Sequence, residues 1–406
     1  MKKLLSIILR LLLAAAGIGY IVFTLSWHDS VVIPEGYTFA DGTQAQSSLT
    51  LSIISEEPVG TFILRGPDAG EQVRVSVTQD TLDADHPRWK PGIVTTMREA
   101  DYQLILFGLA LILPVFPIQA ARWWMLMRCR GMDVPYTRSV RLTMVGLFFN
   151  FCMPGMTGGD VVKAYYAAKG SGARGVAVMS VIFDRIAGLL GLILLAGIAG
   201  LVMLSQNGLD ADVRDLVSTV TLLIWLGFAG ALIAPTFYFS RHVRSLIRLD
   251  RLFAKLGPDH FLVKIDDAAA AYRDHKRVIF TAVMISLPVH ICQALATTLA
   301  GYALGMELPV ELMLTVLPVV FLAGSVPLTY QGLGVMEALV VAMLLPSPLA
   351  DANQLVSMLV LIRLFLIAYA LVGAAMMLRG DIHLFPQIDQ DGTDTESESE
   401  TVDSPA

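Results

Sequence analysis

The feature that most constrains this chain is a series of apolar stretches, each long enough to cross a bilayer and almost free of charge. About 20 apolar residues span the hydrocarbon core as a helix. Six stretches reach that length: residues 4–26, 102–127 (bent at Pro114 and Pro117), 176–204, 216–239, 278–304 and 354–378. Composition agrees, because 55% of the 406 residues are hydrophobic and 16% charged, with a mean hydropathy of +0.64. Soluble domains carry roughly a quarter charged residues, so a water-soluble globular fold does not fit.

Two further apolar regions are interrupted. Residues 142–153, which include Asn150, run into Pro154, Gly155, Gly158, Gly159 and Asp160 before a second piece at 161–168. Residues 310–326 run into Pro327, Gln331, Gly332 and Gly334 before a piece at 335–345 that carries Glu337. Non-helical backbone at membrane depth is tolerated only inside protein or beside a watery cavity, which makes re-entrant hairpins the natural reading.

The bias of Lys and Arg toward cytoplasmic loops orients these segments. Lys2 and Lys3, the Arg122–Arg141 region, Lys169 and Arg174, and nine Lys/Arg over residues 241–277 all fall on one side. The loops at 205–215 and 305–309 hold one basic residue between them and fall on the other. From residue 102 the order is span, hairpin from inside, span; from residue 278 it is span, hairpin from outside, span. Paired segments of opposite topology with matching broken helices point to a transporter and locate its binding site. The expected fold class is an all-α polytopic membrane protein with an inverted-repeat core, two re-entrant helical hairpins and a small extracytoplasmic β insert.

Four regions follow. Residues 1–27 read as an uncleaved membrane anchor, since the run is longer than a signal peptide and lacks a clean small-x-small site. Residues 28–98 alternate polar and β-branched types, with strands expected at 48–54, 61–64 and 73–77 between turn-forming Gly, Pro and Asp. Residues 99–379 form the membrane core. Residues 380–406 form an acidic cytoplasmic tail expected to be disordered. Its last 18 residues hold seven acids and no base, and without them 29 Lys+Arg face 28 Asp+Glu, so the formal charge of −6 is a property of the tail. No basic face suggests nucleic acid. Cys129, Cys152 and Cys292 are widely spaced packing residues, with neither a disulfide framework nor a metal knuckle.

At the first break, glycines permit close backbone approach and the following half-helix offers N–H groups to an anion, with Lys163 as counter-charge; a plain chain reversal capped by Asp160 uses the same residues. The second break repeats the grammar, and an acid inside an apolar piece, as Glu337 is, calls for a function and a partner. Asp184 and Arg185 lie eight and nine residues into their span, and Arg363 nine residues into the span after the second hairpin. The two arginines thus occupy comparable positions and either meet an anionic headgroup bidentately or form interhelical salt bridges. Arg122 before Trp123 and Trp124 reads as interfacial anchoring or as a lipid phosphate contact. His290 reads as a helix-packing histidine rather than a proton relay. Asp83, Asp85 and His86 have acid spacing compatible with a metal but sit in a turn-rich loop.

These residues resemble the flippase-like family defined by the transmembrane region of lysylphosphatidylglycerol synthases. The matching stretches are Ala121 to Trp124, Phe148 to Asn150 through Pro154 and Gly155 to Asp160, Asp184 with Arg185, and Pro327 with Gly332 to Glu337, over about residues 102–378. The resemblance implies movement of polar lipids between leaflets and implies that Asn150, Gly158, Gly159, Asp160, Arg185 and Glu337 line or shape the path. Lysyl-transferring members carry a large soluble catalytic domain after the membrane region, whereas residues 380–406 follow it here, so this chain is not expected to act as an enzyme. The β insert is not part of the family pattern. The expectation is a flippase in the cell membrane, free of metal and cofactor, acting on a phospholipid or other polar lipid. A separate lipid-modifying enzyme and a second copy of the chain remain open as partners. With no GxxxxGK[ST] loop, transport would be downhill or ion-coupled. The rival readings are a membrane-embedded transferase using Asp83 and Asp85, and a membrane scaffold.

Overall fold

The computed structural model describes residues 28–38, 44–45, 48–57, 61–65, 72–76, 87–90, 92–152, 158–171, 174–206, 211–239, 275–326, 329–344 and 350–378, with positions 263, 266, 270 and 272. The anchor at 1–27, the acids at 83–86 and the tail at 380–406 lie outside the described residues.

The segment before the membrane core forms a five-stranded antiparallel sheet: β1 (Ser30–Ile33), β2 (Leu49–Glu57), β3 (Thr61–Arg65), β4 (Gln72–Ser76) and β5 (Arg88–Lys90), in the order β4-β3-β2-β1-β5. The three strands expected from alternation are present. The short β1 and the edge strand β5 were not anticipated, because four and three residues carry too little alternation to be legible. Val31, Ile33, Leu51, Leu64 and Val75 are the buried core of this sheet. Asp29 ties it to α1 (Ile93–Arg98), accepting from the Gly92 N–H at 2.6 Å and the Thr95 hydroxyl at 3.0 Å.

The membrane core follows as α2 (Tyr102–Ile112), α3 (Val115–Arg128), α4 (Tyr136–Cys152), α5 (Gly158–Ser171), α6 (Arg174–Leu204), α7 (Ala211–Phe239), α8 (Lys276–Ala303), α9 (Val310–Ser325), α10 (Val335–Leu344) and α11 (Ala352–Met376). Among the described residues, four segments are long and apolar enough to cross a bilayer: Tyr102–Arg128, Arg174–Leu204, Lys276–Ala303 and Ala352–Met376. The first is α2 and α3, bent where Pro114 caps α3. The helix α7 forms, with a shorter apolar part at Val217–Ile233. Exposed Leu106, Phe107, Ile186, Leu201, Leu222, Leu223 and Leu371 suit a lipid surround rather than water.

Both broken regions are helix pairs. The arm α4 packs on α5 and the arm α9 on α10; α5 then lies against α6 as α10 lies against α11. The first arms cross over reciprocally, α4 packing on α11 and α9 on α6. One apolar cluster, from Ile112 and Met144 through Met313 and Leu317 to Leu359 and Phe365, joins segments from both ends of the core. Close approach is local: a Cβ on Gly373 of α11 would lie 2.1 Å from the Met144 carbonyl oxygen of α4.

Candidate functional site

Hairpin one is shaped by what its glycines admit. A Cβ on Gly159 would lie 1.9 Å from the Gly146 carbonyl oxygen, so α4 and α5 cross where only glycine fits. The first N–H groups of a helix lack internal partners, and the Asn150 side-chain oxygen accepts the one from Gly159 at 2.8 Å. Asp160 is then the third residue of α5.

Hairpin two turns through three left-handed residues, Gln331 (φ 52°), Gly332 (φ 69°) and Gly334 (φ 80°). Gln331 is the notable one, because a side chain rarely adopts this region. Its amide donates to the Asn150 backbone oxygen at 3.1 Å, so the two breaks touch. Glu337, the third residue of α10, accepts the Gly334 N–H at 2.8 Å and caps its own helix.

Each acid pairs with an arginine of the following long helix. Arg185 Nε donates to Asp160 Oδ2 at 2.5 Å, and Arg363 Nη1 donates to Glu337 Oε1. Both arginines are the twelfth residue of their helix, α6 and α11, and both acids the third of theirs. The pairs differ in access: the side chain of Arg185 is 41% exposed, whereas Arg363 is 15% and Glu337 0% exposed. These ion pairs lie within each hairpin-and-span unit, not between units.

Behind the first pair is a buried charge cluster. Arg122 Nε donates to Asp184 Oδ1 at 2.7 Å and its Nη1 donates to Ser286 Oγ at 2.6 Å, while the Ser286 hydroxyl donates to the Ala282 carbonyl oxygen at 2.8 Å. Lys163 Nζ lies 3.5 Å from Asp184 Oδ2 and 4.5 Å from the centre of the Trp123 ring, a cation–π placement. Four helices, α3, α5, α6 and α8, meet at this one carboxylate and its partners. His290 donates through Nε2 to the Gly188 carbonyl oxygen at 2.9 Å and joins α8 to α6, as a packing histidine does.

A groove of 1080 Å³ opens between α5 and α6. Asp160 and Arg185 lie at one end; Lys169 and Arg174 lie at the end nearest the α5–α6 connection; Val161, Ala164, Val178 and Ile182 are among its apolar walls.

Of the residues singled out in the sequence, Asn150, Gly158, Gly159, Asp160, Lys163, Asp184 and Arg185 gather around hairpin one. Gln331, Gly332, Gly334, Glu337 and Arg363 gather around hairpin two. Pro154, Gly155 and Pro327 lie outside the described residues. The interfacial reading of Arg122 is corrected: α3 continues six residues to Arg128, and Arg122 and Trp123 are buried at 6% and 0% exposure. Arg128 over Trp124, at 4.9 Å, is the pair that fits anchoring. Asp184 and Arg185 do take different partners, as adjacent helical residues must. Ser286, Ser180 (which accepts from Trp123 Nε1 at 3.1 Å) and the groove's Lys169 and Arg174 were not singled out as site residues. Serines in apolar helices were the available signal for the first two.

Residues 92–373 match the family model described as lysylphosphatidylglycerol synthase TM region. The chain belongs to this family. The matched part is a membrane region of the flippase type, not a catalytic domain, and it makes the chain a multi-pass membrane protein. Among the described residues no group of three or more His, Cys, Asp and Glu is placed to hold a metal. No curated protein matches the chain. Membership supports a lipid-flipping function and a lipid substrate.

Proposed function

We propose that this protein moves a polar or anionic lipid between leaflets, the headgroup passing the two broken-helix tips while the acyl chains stay in the bilayer. The observation that carries the reading is the matched acid–arginine pair in each half, open in one and closed in the other. Eleven helical rises separate Arg185 from the start of α6, about 16 Å, or half of a hydrocarbon core about 30 Å thick. Charge at that depth is costly and marks a substrate or ion path.

The reciprocal packing of α4 on α11 and α9 on α6 supports an inverted repeat of two units, α2–α6 and α8–α11. In this reading Asp160–Arg185 faces the groove and receives a headgroup, Glu337–Arg363 is the closed counterpart, and transport exchanges the two conditions. The Asn150–Gln331 contact couples the tips. Lys and Arg bias assigns the α5–α6 connection and both termini to the cytoplasm. The drive is a lipid gradient or a coupled ion, with Asp160 and Glu337 as gating acids.

A phospholipid with a photoactivatable headgroup tests this in reconstituted protein. The expected adducts fall on groove residues of α5 and α6 such as Val178 and Ile182, and they decline in Arg185→Ala. Adducts confined to outward-facing Leu222 and Leu226 of α7 contradict the reading.

A further inference from the structure

We infer that the α5–α6 groove selects an anionic phospholipid and disfavours a cationic aminoacylated one, an inference that rests on the flipping reading and deepens it. Four charged residues line the groove, and three of them are basic: Lys169, Arg174 and Arg185, against Asp160 alone. Arg185 and Asp160 already neutralise each other. Among the charged residues that line the groove, those without an acidic partner in the lining therefore lie at the other end, where Lys169 and Arg174 are both exposed.

Behind the groove the buried cluster adds to this sign. Arg122 and Lys163 share the single carboxylate of Asp184. The groove and the cluster behind it hold five cations against two acids. A low-dielectric setting strengthens this field relative to water. The separation of Arg174 from Arg185 along α6, about 16 Å, suits a lipid whose phosphate rests on Lys169 and Arg174. The next polar stop is Arg185, whose guanidinium a phosphate engages in competition with Asp160. A lysyl headgroup carries its own ammonium groups into the same field and is repelled. The lipid named by the family's synthases is thus the one this groove rejects.

Each basic residue near a membrane surface shifts attraction of an anionic partner by roughly fivefold, so the pair gives a preference above about tenfold. The test is native mass spectrometry of detergent-released protein offered equal amounts of phosphatidylglycerol, phosphatidylethanolamine and lysyl-phosphatidylglycerol. Wild type is expected to retain phosphatidylglycerol at least about tenfold over the lysyl lipid. The preference should disappear in Lys169→Gln with Arg174→Gln and reverse in the double change to Glu. It should persist in Lys276→Glu with Arg277→Glu, two exposed changes at the start of α8. Equal retention, or retention of the lysyl lipid, overturns the inference. Liposome transport of the same three lipids separates the two readings. Equal movement of all three leaves flipping intact and overturns selectivity. Selective retention with no movement of any lipid upholds the anion site and overturns flipping.

Discussion

Neutralising the acid of each matched pair should cost very different amounts of stability. Glu337 is fully buried and accepts from both the Gly334 N–H and Arg363. In Glu337→Gln the amide oxygen can still cap Gly334, but Arg363, 15% exposed, is left without its counter-charge. Breaking a buried pair by removing one partner costs about 3–5 kcal/mol. Asp160→Asn removes the same contact from Arg185, whose side chain is 41% exposed in an open groove. Substitute solvation then holds the loss to about 1 kcal/mol or less, the scale of an exposed pair. Equilibrium unfolding in mixed micelles measures both, and Glu337→Gln with Arg363→Met should recover most of the loss because both charges leave together. A cost for Asp160→Asn equal to that for Glu337→Gln would mean that the groove is dry and closed, and would refute the reasoning.

Five further outcomes follow from the same geometry. Asp184→Asn strands Arg122 and Lys163 and should destabilise by about 3–5 kcal/mol, read by the same unfolding assay, whereas Ser286→Ala removes one acceptor from Arg122 and should cost about 1–3 kcal/mol. Gly159→Ala places a methyl carbon against the Gly146 carbonyl and should cost at least about 1–3 kcal/mol, with the loss read as a lower unfolding midpoint. Gln331→Gly keeps the left-handed backbone but removes the bond to Asn150, so stability should change by about 1 kcal/mol while lipid movement falls more than stability does. Cysteines placed at Gly170 and Ser347 should label from opposite sides of the membrane, Gly170 from the cytoplasm; labelling of Gly170 from outside would contradict the orientation.

Much of the membrane fold is legible in the sequence because its signals are long. A 31-residue apolar helix such as α6 needs no partner to be recognised, and Gly–Pro clusters interrupt α4–α5 and α9–α10 where an unbroken helix would otherwise cross. Helix ends were less legible: α4 begins at Tyr136, six residues before the apolar run that marks it, because its first turns are polar and basic. The pairing of charges was only half legible. Equal depth placed Arg185 and Arg363 in correspondence, but Asp160 and Glu337, 25 and 26 residues upstream, become their partners only through the fold of each hairpin onto its span. Arg122 was misread for a related reason. Its Trp neighbours imitate an interface signal, and the residues that bury it, Asp184 and Ser286, are 62 and 164 positions away. Nothing local in the sequence distinguishes an arginine that faces lipid headgroups from one that faces a distant serine. Nor does it distinguish the open pair from the closed one, since access depends on how α5 leans on α6.

The central claim is tested most directly by purified protein in liposomes carrying fluorescent phosphatidylglycerol, with outer-leaflet quenching followed over time. The account expects wild type to let the inner-leaflet lipid reach the quencher rapidly, and expects Arg185→Ala, verified as folded by its unfolding midpoint, to leave that lipid protected. Wild-type liposomes that protect the inner leaflet as fully as protein-free ones would contradict it, as would an Arg185→Ala protein that moves the lipid at the wild-type rate.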